Sequence, residues 1–219
     1  MRRSVAGFLT VLLVLCITGT ALAGAALTAR YTADVPVIDG DPGDNAWATA
    51  VEYPFAFNQL NQFSQVWTDF ANLQASFKLL YNGEILYGIV YRQDDYDQTG
   101  NDSPVYRDGV ELFFDLYLRG GSGVPLANKV NGQSQIRAVI GEPFDDIFPG
   151  VPVQTAWNES NTVLEFAVPL GANAAGATIG FNIAINDADE GLRDQQLYPF
   201  PGFNRSWTSA DALGLLVFE

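Results

Sequence analysis

The sequence predicts one all-β domain, an antiparallel β-sandwich of the immunoglobulin-like or jelly-roll type, and three observations lead to it. Short runs with the two-residue period of a strand recur along the chain. The clearest, YRDGVELFFDLYL at residues 106–118, puts Val110, Leu112, Phe114, Leu116 and Leu118 on one side and Glu111, Phe113, Asp115 and Tyr117 on the other. Clusters of Gly, Asn, Asp and Pro separate such runs and no long helical period intervenes, so about nine or ten short strands follow one another with turns between.

Residues 1–23 read as a secretory signal peptide. Met1, Arg2 and Arg3 form a basic start, residues 5–17 an apolar run, and Ala21-Leu22-Ala23 a small-x-small cleavage pattern. The expected domain is therefore residues 24–219, delivered to the periplasm or the cell exterior. The only cysteine, Cys16, lies within the signal and follows Leu15 rather than a small residue, so neither a disulfide nor a lipid anchor is expected. Loss of Arg2 and Arg3 leaves nine basic against 25 acidic side chains, a formal charge of −16. Such a surface disfavours nucleic acid and anionic lipid as partners. The chain has no histidine, and its single methionine is Met1. Histidine-based catalytic triads, the common His/Cys zinc sites and His or Met ligation of haem are thereby excluded. Chemistry is left to carboxylates, amides, guanidinium groups and aromatic rings.

Taken in order, residues 26–38 form an opening strand bent at Pro36, and Asp39-Gly40-Asp41-Pro42-Gly43-Asp44 is a dense turn signal. Trp47, just beyond it, is expected to pack at one end of the core. The amide-rich segment 58–67 reads as a loop, with Trp67 left open between a platform and a lid. Residues 71–81 and 84–93 are strands joined at Asn82-Gly83, a favoured two-residue hairpin turn. An acidic loop at 94–103 leads into the 106–118 stretch. Residues 133–140 alternate again, with Ser134, Ile136, Ala138 and Ile140 on one side and Gln133, Gln135 and Arg137 on the other, which lines up amides and a guanidinium. Residues 151–157 and 162–168 make a second hairpin stopped by Pro169. Ile179, Phe181, Ile183 and Ile185 turn the strand at 178–186 inward. Residues 187–204 read as a long acidic and aromatic loop, and 212–218 as the closing strand.

Four segments carry a resemblance: VIDGDPGDNAWATA (37–50), RDGVELFFD (107–115), IGFNIAINDADEGLR (179–193) and SWTSADALGLLVF (206–218). In order and spacing the chain resembles the family 9 carbohydrate-binding modules, sugar-binding β-sandwich domains associated with xylanases and other exported sugar-handling proteins. The resemblance implies a sugar held between two tryptophans and hydrogen-bonded by a glutamate, an arginine and an asparagine. Trp207, seven residues before Gly214, matches the second tryptophan; Asn204, Glu111 and Arg137 match the polar three; Val105 stands where the first tryptophan belongs. Tyr106 is the adjacent ring, and Gln135 lies on the face of Arg137. Sugar rings offer apolar C–H faces to flat aromatics and hydroxyls to fixed donors and acceptors, which this residue set supplies. The resemblance also implies structural calcium, for which Asp39, Asp94 and Asp187 are candidates in oxygen-rich turns; no cofactor is required otherwise.

The expected function is that of an exported, non-catalytic protein binding a polysaccharide or oligosaccharide in polysaccharide catabolism, with a glycoside hydrolase as partner. The alternative is a structural or adhesive surface domain of the same fold with a degenerate sugar site, which Val105 favours. A glycoside hydrolase using Glu111, Asp115 or Glu165 is the lesser alternative: Glu111 and Asp115 are four residues apart on one strand face, roughly 13 Å, which is wide for a carboxylate pair.

Overall fold

Alternation in the sequence becomes two sheets packed face to face in the computed structural model, which describes residues 26–58, 65–103, 106–118, 133–142, 153–171, 177–189, 191–200, 206 and 209–219. The expected signal peptide lies outside the described residues. The strands are β1 (Ala26–Tyr31), β2 (Glu52–Pro54), β3 (Phe57–Asn58), β4 (Gln65–Val66), β5 (Leu73–Tyr81), β6 (Ile85–Asp94), β7 (Gly109–Asp115), β8 (Gln133–Val139), β9 (Gln154–Trp157), β10 (Val163–Pro169), β11 (Thr178–Asp189), β12 (Leu192–Tyr198) and β13 (Gly214–Phe218). Helical structure among the described residues includes short 3₁₀ turns at Asn45–Thr49 and Ala210–Ala212.

In the first sheet β11 is central. From Gly180 to Asn186 it pairs with β7, and β8 lies beyond β7. Its other edge is shared, with β13 beside its start and β12 beside its end, and β3 and β4 extend from β12. The second sheet runs β9, β10, β6, β5, with β2 on the far edge of β5. Strand β1 belongs to both sheets: Ala26 to Ala29 pair with β13, and Arg30 and Tyr31 with β5. Both of these pairings are parallel, the exception in an otherwise antiparallel sandwich.

The inner faces supply the core. Val110, Leu112, Phe114, Ile136, Ala138, Ile179, Phe181, Ile183 and Ile185 meet Phe77, Leu79, Leu86, Val90, Leu164, Phe166 and Val168 of the opposite sheet. Each fully buried large apolar side chain here contributes about 1.5–3 kcal/mol of transfer free energy. Room is made where it is needed: the Phe166 ring lies over Gly88, its cross-strand partner, so closely that a Cβ there would stand 2.0 Å from Cζ.

Four expectations are corrected. The opening strand stops at Tyr31, because Pro36 and the following turn leave the sheet. The β5–β6 connection is longer than two residues: Tyr81 pairs with Leu86, and Asn82 closes the turn with its own side chain, its Oδ1 accepting from the N–H groups of Glu84 (3.2 Å) and Ile85 (3.0 Å). Trp47 lies on the outer face of the second sheet, in a small cluster with Leu80, Tyr87, Ile89 and Val163, rather than at an end of the core. Its Nε1 donates to buried Glu165 (2.8 Å), which also accepts from the N–H of Asp39 (3.1 Å) and Gly40 (2.9 Å). Finally, the segment read as a loop from residue 187 is mostly strand, since β11 runs on to Asp189 and turns back as β12. A register shift between Asp187 and Ala188 interrupts the alternation there and hides the strand from a two-residue period.

Candidate functional site

The outer face of the first sheet is where the polar residues of β7 and β8 meet. Strand β7 is buried on both faces, not one: Glu111 is 1% exposed, Phe113 0% and Asp115 2%. The cover over Phe113 includes Ala184, Tyr198 and Ala210. Glu111 pairs across the strands with Arg137, and its carboxylate is filled by donors. Oε1 accepts from Arg137 Nε (3.0 Å) and Asn186 Nδ2 (2.8 Å) and forms ion pairs with Arg137 Nη2 (2.9 Å) and Arg193 Nη1 (3.8 Å), while Oε2 accepts from Gln135 Nε2 (2.8 Å). Asn186 is held in turn through Oδ1 by Gln196 Nε2 (2.9 Å) and Arg193 Nη1 (3.4 Å). The network reaches solvent through the partly exposed Gln135, Arg137 and Arg193. Tyr198 is fully buried, its hydroxyl without a hydrogen-bond partner; burial first and then the Glu111 charge push its pKa up, with Arg193 opposing. Further along the same face, Ser206 is buried and accepts a hydrogen bond from Asn182 Nδ2 (2.9 Å).

A second constellation forms where β6, β7 and β11 meet. Asp94, Asp108 and Asp187 each place a carboxylate oxygen within 4.8 Å of the others. Arg92, itself buried, pairs with Asp94, with Asp97 (2.6 Å) and with Asp108 (3.2 Å). Asp108 also accepts from the N–H of Ala188 (2.7 Å) and of Gln98 (3.0 Å). Asp187 is completely buried, and neither carboxylate oxygen has a hydrogen-bond partner. Burial, then the neighbouring Asp94, Asp189 and Asp108 charges, push its pKa up to about 8; burial likewise raises Asp108 to about 7. One guanidinium cannot balance three clustered carboxylates, and two empty buried oxygens cost free energy. An all-oxygen donor set of this kind fits a hard divalent cation.

The family model described as "Carbohydrate family 9 binding domain-like" matches residues 38–219. The chain belongs to that family. Two solved structures share its fold, both of a carbohydrate-binding module family 9 from Caldicellulosiruptor kristjanssonii. The complex with cellotriose superposes at a TM-score of 0.71 with 19% identity, covering 89% of this chain and 93% of that one. The complex with glucose does so at 0.68 with 18% identity, covering 89% and 95%. No curated protein matches the chain. Family 9 domains are binding modules, in general without catalytic activity.

Of the residues that the sequence marks in this family 9 domain, Glu111, Arg137 and Gln135 come together, with Glu111 a buried anchor engaged by both of the others rather than an open acceptor. Tyr106 is 41% exposed and takes no part in the network. Trp207, Asn204 and Val105 lie outside the described residues. Trp67 is neither platform nor lid: it is buried, and its Nε1 donates to the carbonyl of Leu73 (2.7 Å). Asp94 and Asp187 meet in the acidic cluster; Asp39 is not among them, since its Oδ1 accepts from the N–H of Asp41 (2.9 Å) in the turn over Glu165. Glu165 itself is on the outer face of the other sheet, so it forms no carboxylate pair with Glu111. Sequence reasoning missed Asn186, Arg193 and Gln196, which it assigned to a strand end and a loop. It also missed Asp108 as a cluster member, which nothing in its local sequence marks out.

Proposed function

We propose that this chain is an exported, non-catalytic carbohydrate-binding protein that works in polysaccharide catabolism in the periplasm or outside the cell. The saccharide is hydrogen-bonded by Arg137, Gln135 and Asn204 and stacked on Trp207, while Glu111 holds Arg137 in place. The observation that carries this reading is the filled Glu111 carboxylate, which orients a partly exposed guanidinium and an amide on one sheet face. Such locked polar groups are what recognition of a ring of hydroxyls requires. The family match supports the ligand class, and the anchoring of Ser206 on Asn182 in the same face supports a role for its neighbour Trp207. Asp94, Asp108 and Asp187 hold a divalent cation of calcium's type, which would neutralise the buried charge and tie three strands together.

Titration calorimetry with glucose and cello-oligosaccharides tests the reading. Binding is expected, and Trp207→Ala should weaken it at least about tenfold by removing a stacking face. A folded protein that binds nothing on a broad glycan array would overturn it. That outcome would favour the second reading, a structural or adhesive domain of this fold, which rests on Val105 in the position of the family's first tryptophan.

A further inference from the structure

Charge and donor counting around Glu111 lead beyond a generic sugar site. Two guanidinium groups, Arg137 and Arg193, share one carboxylate. Among the described residues no other carboxylate lies within ion-pair distance of either. Glu111 Oε1 already takes Arg137, Asn186 and Arg193, and Oε2 takes Gln135. A carboxylate oxygen offers about two acceptor sites, so little capacity remains. Each guanidinium carries five N–H donors in a planar fork, and most of those on Arg137 and Arg193 have no partner among the described residues. Acceptors are scarcer: the Nε2 atoms of Gln135 and Gln196 are spent inside the network, and Gln196 is itself buried.

The neighbouring acids do not cancel this excess. Asp115 is four residues along β7, roughly 13 Å by strand rise, too far to form an ion pair with either guanidinium. It is moreover engaged by Gln133 Nε2 (3.2 Å) and the N–H of Tyr117 (3.3 Å). Asp187, next to Asn186, points to the opposite face as adjacent strand residues must, and belongs to the cluster with Asp94, Asp108 and Arg92. A divalent ion there would offset most of that cluster's charge, while at the Glu111 end two guanidinium groups share one carboxylate and one positive charge is uncompensated, in a chain whose formal net charge is −14.

We infer that the saccharide taken at this face carries a carboxylate, a uronic acid in place of a neutral sugar, with Arg193 and Arg137 as its partners. The inference rests on the saccharide reading above and names its ligand class. A neutral sugar hydroxyl gives a proton as well as accepting one, whereas the partly exposed charged groups of this face, Arg137 and Arg193, only donate. A carboxylate accepts only, and it matches the guanidinium fork with two parallel hydrogen bonds.

The test compares oligogalacturonate and glucuronate with their methyl esters and with cellotriose, by calorimetry on the full domain in calcium-containing buffer. The acids should bind at least about tenfold more tightly than their esters, and the preference should shrink as salt rises to about 0.5 M. Arg193→Gln should lower affinity for the acid by a larger factor than affinity for the ester, with Arg193→Lys recovering part of the loss; circular dichroism confirms that the variants fold. Equal affinity for acid and ester overturns the inference and leaves the saccharide reading standing. Absence of binding to every probe by the folded wild-type protein overturns both.

Discussion

Replacing Glu111 with glutamine keeps the size of the side chain and removes its charge, and the structure says what that should cost. Breaking a buried ion pair from one side typically costs about 3–5 kcal/mol, because the abandoned charge stays buried. Here Arg137 keeps some contact with water, its side chain 15% exposed, and the glutamine oxygen can still accept one of the former donors. The Nε2 group of the new amide, however, would face the donors of Gln135 or Asn186, now 2.8 Å away on either side of the carboxylate. A loss of about 2–3 kcal/mol follows, with a fall in Tm of about 4–12 °C for a domain of this length. Urea unfolding followed by circular dichroism measures it directly, and a double-mutant cycle with Arg137→Gln isolates the pair. If Glu111→Gln unfolds within about 0.5 kcal/mol of wild type, the carboxylate is an exposed surface acceptor and the anchor description is wrong.

Three further outcomes are expected. Gly88→Ala should lose about 1–3 kcal/mol, because the new methyl overlaps the Phe166 ring at 2.0 Å; Phe166→Leu in the same chain should restore part of it, as chemical denaturation would show. Asp187→Asn should raise the stability of the metal-free protein near neutral pH, since asparagine is neutral in that buried site without the proton that Asp187, its pKa pushed up to about 8, must take up on folding, and it should abolish any calcium-induced rise in Tm seen by scanning calorimetry. Without metal, stability should fall as pH rises from about 4 to about 8: Asp108 and Asp187 have native pKa values of about 7 and about 8, above their ordinary value of 3.8, so the native state holds more protons than the unfolded chain across that window. Saturating calcium, which displaces those protons, should flatten or reverse the slope, and thermal melts at several pH values with and without chelator decide it.

The fold was legible wherever one face of a strand buries apolar residues and the period holds. The partition of Val110, Leu112 and Phe114 from Glu111 and Phe113, and of Ile136 and Ala138 from Gln135 and Arg137, is the partition in the sheets. What alternation cannot tell is whether the polar face is wet. Glu111 and Asp115 look like half-exposed acids in the sequence and are almost wholly buried, because aromatic residues distant in the chain, Tyr198 above all, close over that face. The segment LRDQQLY reads as a loop because its polar residues serve the network rather than water, and because the bulge at Asp187 shifts the phase. Asp94 and Asp187 were visible as acids in turns, but Asp108 was not separable from the strand-leading aspartates found in many proteins. Only the meeting of β6, β7 and β11 shows that the three share one small volume.

Strand β1 sets a condition on how this domain can form. Ala26 pairs with Leu215 and Ala29 with Phe218, and the N–H of Tyr31 meets the carbonyl of Glu219, so the first and last described strands lie side by side while β1 also edges the second sheet. Contacts separated by nearly the whole domain close late and slowly, since the intervening loop must first be ordered or paid for in entropy. A chain delivered from its N-terminus can therefore pair Arg30 and Tyr31 with β5 early but keeps the Ala26–Ala29 end of β1 without its partner until β13 arrives. Until β13 arrives the sandwich remains open along the seam where the two sheets join.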